Sequence, residues 1–274
     1  MAFLRTHTVK VVLTIVIVGT LLAWFSVHEP AGSPGVPPGR GVQTGSKHKS
    51  SGPGGAATRT PATRRASFDF YLLALTAHAA FCADGREDLS ECRSAAPRPL
   101  VIHGLWPERL EPRAYPHDCP APALDLDAGL AQQLADFMPG MAAGLHQHEW
   151  REHGGCSGLD DDAYFQRALE LTRALDAALA AQLTTLADRD TSAAELRETA
   201  DTFQPGVGAT ITLHCRMLRG SGDRPVLVEI RQCIDNDGTD GAPGTLLDCA
   251  TVGRRDQGCG SSFHIAGHMT GMGR

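Results

Sequence analysis

Apolar and polar positions begin to alternate at Phe68, and the run Phe68 to Thr76 (FDFYLLALT) predicts the first strand. Four further segments read as strands from their β-branched or alternating character. They are Arg98 to His103, which delivers His103 at its end, Ala209 to Cys215, Val226 to Ile234 and Ser261 to Ile265. Helical periodicity marks Leu126 to Met138, stopped by Pro139 and Gly140, and the long Ala- and Leu-striped stretch Asp161 to Leu186. Ser192 with Glu195 has the spacing of a capping box and starts a helix that ends near Phe203. Strands and helices in this order predict an α+β domain, an antiparallel β-sheet with helices largely on one side. No internal repeat is evident.

Before Ser67 the pattern changes character. Arg5 and Lys10 precede Val11 to Val27, an uncharged and largely apolar run. Its length of about seventeen residues falls between a cleaved signal and a membrane-spanning anchor, so residues 1–28 are read as one or the other. Either reading exports the remainder of the chain, to the periplasm or the outside of the cell, and an anchor would attach it to a membrane through residues 11–27. Residues 29–67 are dominated by Pro, Gly, Ser and Thr and are too poor in apolar side chains to offset the entropy of ordering, which predicts a disordered linker. Residues 68–274 form the folded domain.

Charge is divided along the same line. Residues 1–67 hold eight Lys or Arg against the single acid Glu29, which leaves 17 basic and 30 acidic side chains for the domain. No lysine follows Lys49, so every cation in the domain is an arginine or a protonated histidine. A protein that holds long nucleic acid by neutralising phosphates is basic, so any RNA contact here is local, confined to a pocket. All eight cysteines (Cys82, Cys92, Cys119, Cys156, Cys215, Cys233, Cys249 and Cys259) lie in the domain. An even number without a C-x-x-C pair points to disulfides in an oxidising compartment, not to a zinc ribbon.

The candidate chemistry lies in two strings, IHGLWPE at Ile102 to Glu108 and HEWREHGGCSG at His148 to Gly158. They supply His103, His148, Glu149 and His153. Transphosphorylation of RNA needs a base for the 2′-hydroxyl proton, an acid for the departing 5′-oxygen, and donors around the phosphorane; imidazole suits the first two. On an α-helix Glu149 and His153 share a face, so the carboxylate is expected to orient that imidazole. His148 and His153 are five apart, about 140° around such a helix, which is not the four-residue spacing of the H-E-x-x-H zinc peptidases.

These strings resemble the two active segments of the ribonuclease T2 family. The similarity starts with FDFYLLAL, includes Glu91–Cys92, YPHDC at Tyr115 to Cys119 and MPG at Met138, and runs through the last cysteines to about residue 266. The resemblance implies a monomeric endoribonuclease acting on single-stranded RNA through a 2′,3′-cyclic phosphate, with little base specificity and no metal or cofactor. It gives His153 the role of general base, His103 that of general acid, His148 a phosphate contact, and Glu149 a polarising or steadying role. Trp106 and Tyr115 match base-stacking positions, and Glu108 a contact to a base edge. It also implies the pairs Cys82–Cys92, Cys119–Cys156, Cys215–Cys259 and Cys233–Cys249.

Two positions depart from the pattern. The family usually has a lysine directly before its last histidine, and this chain has Glu152, with Arg151 one residue earlier. The exchange removes a cation from the phosphorane, which predicts a slower or more acid-preferring enzyme. Alternatively Glu152 and His148, four apart, pair and keep His148 protonated. Ala77 stands where the family commonly has tryptophan, with His78 beside it either as a substitute base contact or as part of a drifted loop. His78, His117, His146, His214, His264 and His268 are expected at the surface or on strands, with His117 and His146 nearest the cleft. Two other readings remain, a catalytically impaired RNA-binding or signalling protein and a zinc hydrolase using His148, Glu149 and His153.

Overall fold

The computed structural model describes residues 67–93, 98–111, 115–237 and 244–267. The readings of residues 1–28 and of the linker up to residue 66 lie outside them, as does His268. Among the described residues no helix is long and apolar enough to cross a membrane.

Strands β1 (Phe70–Ala77), β2 (Leu100–Glu108), β3 (Arg189–Thr191), β4 (Ile211–Arg216), β5 (Val226–Asp235) and β6 (Phe263–Ile265) form one sheet. Its order is β2-β1-β5-β6-β3, with β4 also on β5. Every pairing is antiparallel except β5 with β6, which meet in parallel at Val226 and His264. The expected α+β class holds, and the sheet is mixed at the β5–β6 junction.

One face of the sheet carries the helices. Tyr71, Leu73 and Leu75 of β1 point into the main core, while Phe70 and Leu72 point to a second cluster with Cys233, Cys249 and Val252. The helices are α1 (His78–Ala83), α2 (Ala128–Ala135), α3 (Leu145–Glu149), α4 (Asp161–Thr185) and α5 (Ala193–Phe203). Helix α4 dominates the packing. Asp160 caps it by accepting from the Ala163 N–H at 2.8 Å, and Asp161 and Asp162 in its first turn suit the positive end of the helix dipole. Its stripe of Tyr164, Phe165, Ala168, Leu169, Leu175, Leu179 and Leu183 is buried in the main core.

Several boundaries differ from the sequence reading. Helix α2 is shorter than the expected Leu126 to Met138, because Asp127 caps it by accepting from Gly129 and Leu130 N–H and thereby sets its first turn. Ser192 caps α5 by accepting from the Glu195 N–H at 3.2 Å, but the Glu195 carboxylate bonds Thr191 Oγ1, so only half of the capping box forms. Strand β2 does not end at His103. It runs on to Glu108 and carries Trp106 with it.

All four disulfides have the pairings that the resemblance implied. Cys119–Cys156 closes a 37-residue separation, worth about 4 kcal/mol in the chain-entropy model. It ties the Tyr115 loop to the segment after α3. The same junction is held by Asp118 N–H donating to the Glu152 carbonyl at 3.0 Å and by Trp150 Nε1–H donating to the Pro122 carbonyl at 2.9 Å.

Candidate active site

Two irregularities in the sheet decide which residues meet. Ala74 of β1 pairs with Gly104 and the next residue, Leu75, with Ile102, so His103 is the extra residue of a β-bulge. Strand side chains alternate, so a regular β2 would send His103 and Trp106 to opposite faces. The bulge resets the alternation. Leu100 and Ile102 before it and Leu105 after it all enter the main core, which leaves His103 and Trp106 together on the other face.

Strand β5 does the same. His214 pairs with Glu229 and Cys215 with Leu227, so Val228 is extra. Leu227 and Ile230 both reach the main core, while Val228, Glu229 and Arg231 line a cavity shared with His103. Two bulges on non-adjacent strands thus aim His103 and Glu229 at each other, and His103 Nδ1 lies 2.9 Å from Glu229 Oε2.

The second segment is irregular too. Gly144, at φ 86°, turns the chain from the tight turn Pro139–Ala143 into α3, whose helix continues as a π-turn over Trp150–Gly154. In that turn the Gly155 N–H reaches the Trp150 carbonyl, five residues back. The expected alignment of Glu149 with His153 does not form across this turn. Glu149 does not orient His153, and no hydrogen bond or ion pair joins them among the described residues. The Glu149 carboxylate turns to β2 instead, where it accepts from Trp106 Nε1–H at 2.8 Å and lies 4.0 Å from His103 Nε2.

Trp106 is the centre of the group. Its ring lies 5.1 Å from His103, edge to face, and 5.4 Å from His153, and the Arg231 guanidinium sits 5.0 Å over it. Tyr115 is exposed and lies 6.5 Å from His153. Glu108 is held by Arg254 at 2.9 Å. His148 and Glu152 are 4.0 Å apart, the spacing of the expected pair, and Arg151 reaches around to 3.4 Å from His148 Nδ1 and 3.7 Å from Glu152. His148, Glu149 and His153 do not converge as metal ligands. Among the described residues the converging group is His78, Cys82 and Cys92, and its two cysteines are joined in a disulfide.

The two imidazoles against Trp106 are tuned in opposite directions. Burial disfavours the charge on His103, but the hydrogen bond and charge of Glu229, with Glu149 behind them, outweigh it and raise its pKa above the usual value. His153 is pushed down to about 4 by burial first and then by the charges of His148, His103 and His117. Its Nδ1 is buried with no hydrogen-bond partner among the described residues, and the Asp118 carboxylate favours the charged ring too weakly to offset burial and the three imidazoles. Burial raises Glu149 despite the Trp106 hydrogen bond. Glu229 goes the other way: burial opposes its charge, but His103 and Arg231 together lower its pKa. A charged imidazole and a neutral one on either side of a reacting group are what paired proton donation and acceptance require.

A family model, that of the ribonuclease T2 family, matches residues 68–249. The chain belongs to that family. A ribonuclease of Aeromonas hydrophila is 29% identical over 181 residues, covering 63% of this chain and 74% of that protein. Ribonuclease 1 of Arabidopsis thaliana is 27% identical over 198 residues, 66% of this chain and 80% of the relative. Among solved structures, an RNase MC1 variant in complex with 5′-UMP superposes with a TM-score of 0.55 at 25% identity, over 73% of this chain and 99% of that one. The chain is a T2-type ribonuclease.

Several residues of this candidate site escaped the sequence reading. Glu229 and Arg231 alternate as the charged positions of the otherwise largely apolar VLVEIRQCI, and that alternation was the available signal. Arg254 had none. His78 is not a surface residue: it is fully buried at the start of α1, 3.5 Å from Glu91. His214 is on β4 as expected and lines the cavity; burial, then Arg231, pushes its pKa to about 4.

Gly104 shows how closely the two segments approach. A Cβ at this position would collide with Glu149 Oε2 and Trp106 Nε1. Gly104→Ala is expected to break the Trp106–Glu149 hydrogen bond and lower RNA cleavage about 10²-fold, the order of effect of a misplacement near 1 Å. Steady-state kinetics with the NMR resonance of the Trp106 indole N–H checks it, and unchanged values of both would show that Glu149 need not sit where it does.

Proposed function

We propose that the domain cleaves single-stranded RNA by transphosphorylation. His153, neutral above about pH 4, takes the 2′-hydroxyl proton as that oxygen bonds to phosphorus. The bond to the 5′-oxygen breaks, and His103 protonates the leaving oxygen from Nε2 while Glu229 holds its Nδ1. The product is a 2′,3′-cyclic phosphate. His148 contacts the phosphate, and Glu149 keeps Trp106 and the charged His103 in place.

The opposite tuning of two imidazoles packed on one indole carries this reading. Tyr115 and Trp106 offer stacking surface to one base, with Glu108 at its edge, and stacking of about 1–3 kcal/mol per base is tolerant of sequence. A cavity of about 640 Å³ beside His103 and His148 leaves room for the nucleoside on the other side of the phosphate. No step needs a metal or cofactor, and a single chain supplies every group. The four disulfides support a place outside the reducing cytoplasm. The membrane reading rests on residues 11–27 alone.

The test is a defined oligonucleotide with one ribose linkage, digested by purified protein in EDTA and analysed by mass spectrometry. A 2′,3′-cyclic phosphate on the upstream fragment is expected. A 5′-phosphate on the downstream fragment, or cleavage that stops in EDTA, would reject the mechanism.

A further inference from the structure

We infer that Arg231 is the cation that binds the scissile phosphate and stabilises its phosphorane, an inference that rests on the transphosphorylation reading. The reaction places about two negative charges on one phosphorus centre, and this site surrounds that centre with carboxylates: Glu108, Glu149, Glu152 and Glu229. Lysine is absent from the domain, so arginine must supply any permanent positive charge.

The arginines nearby differ in how they are engaged. Arg254 is spent on Glu108 Oε2 and the Arg109 carbonyl. Arg151 is two-thirds exposed and divided between His148 and Glu152. Arg86 is paired with Asp84, and Arg216 is exposed at the end of β4. Arg254 is held and covered as well but does not line the cavity of His103 and His148, whereas Arg231 is anchored there. It is largely covered, its Nε donates to Glu229 Oε1, and its guanidinium lies over Trp106.

Only Nε is used. No hydrogen bond occupies Nη1 or Nη2 of Arg231 among the described residues, and the side chain lines the cavity together with His103 and His148. An anchored guanidinium with two unspent terminal donors matches two oxygens of a phosphate. Glu229 bridges Arg231 to His103, so the three groups together carry one net positive charge when His103 is protonated. The pair therefore orients Arg231 without cancelling the field of the cluster.

The experiment uses the purified full chain, a dinucleoside monophosphate as substrate, and inorganic phosphate and free cytidine as inhibitors. Arg231→Ala is expected to lower kcat about 10²- to 10³-fold, the effect of losing one transition-state donor, and to weaken phosphate inhibition at least about tenfold while cytidine inhibition holds. Arg231→Lys should fall between, and guanidinium added to the alanine variant should restore part of the rate. Arg231 lowers the pKa of His103, so the alkaline limb of the alanine variant should move up, which separates this loss from a lost acid. A cation returned at the neighbouring segment, Glu152→Lys, should help the alanine variant more than the wild type.

Phosphate inhibition and kcat unchanged in Arg231→Ala would overturn the assignment. So would weakened cytidine inhibition with phosphate inhibition intact, which makes Arg231 a base contact. Loss of rate in both Arg231 variants without rescue by guanidinium and with intact phosphate inhibition overturns it as well, in favour of a structural role. A wild-type chain that leaves the dinucleotide uncut instead overturns the transphosphorylation reading itself.

Discussion

His153→Ala is expected to lower kcat on RNA by about 10²- to 10⁴-fold, the range of a lost general base, and to remove the acid limb of the pH profile. The sign comes from the environment of the ring. Its pKa is lowered to about 4, so in the wild type the neutral, proton-accepting form predominates above that pH and activity falls as pH drops through it. His103 is raised, so its proton is retained beyond the ordinary histidine range and activity falls only as pH rises past it. The expected wild-type kcat/KM profile is a broad bell whose acid side lies near pH 4. Residual activity in His153→Ala should lack that side and keep the alkaline one. A variant with wild-type turnover, or one whose acid limb persists unchanged, would take the base role away from His153.

The parts of the fold that depend on local pattern were legible in the chain. Five strands and three long helices sit close to where periodicity placed them, because alternation and the 3.6-residue stripe report burial directly. The Asp160 and Ser192 caps mark helix starts by chemistry that needs no tertiary context. Short elements were not legible. Strand β3 has only three residues, Arg189 to Thr191, and exists because it pairs with β6 more than seventy positions later.

The site was legible as a set of residues and not as an arrangement. Both bulges depend on which residue of a partner strand falls opposite, and one skipped position reverses every side chain beyond it. IHGLWPE read as plain alternation separates His103 from Trp106, and only the pairing with β1 shows that they share a face. The π-turn is similar: HEWREHGG carries no mark that distinguishes it from an α-helix, yet it swings Glu149 away from His153 and onto Trp106. Glu229 was missed because a carboxylate on a central strand reads as ordinary polar alternation until His103 is placed against it.

That contact gives the other large expected effect. Glu229→Gln keeps the size of the side chain and removes its charge. With the carboxylate gone, burial and the uncompensated Arg231 both act against the protonated His103, and only the more distant Glu149, itself raised by burial, still supports it. The pKa of His103 should fall from above its ordinary value to below it. The alkaline limb of kcat/KM then moves to lower pH, each unit costing tenfold at pH 7 where the acid is largely deprotonated. The glutamine amide adds a second loss, since its N–H can donate to Nδ1 and hold that nitrogen unprotonated, which disfavours the doubly protonated ring that acts as the acid. Together these are expected to lower activity about 10²-fold at pH 7 and much less at pH 5, with the acid limb set by His153 unmoved. Paired pH profiles, with the His103 ring followed by NMR titration, measure both effects. An alkaline limb that stays in place would mean that the Glu229 carboxylate orients His103 but does not hold its proton.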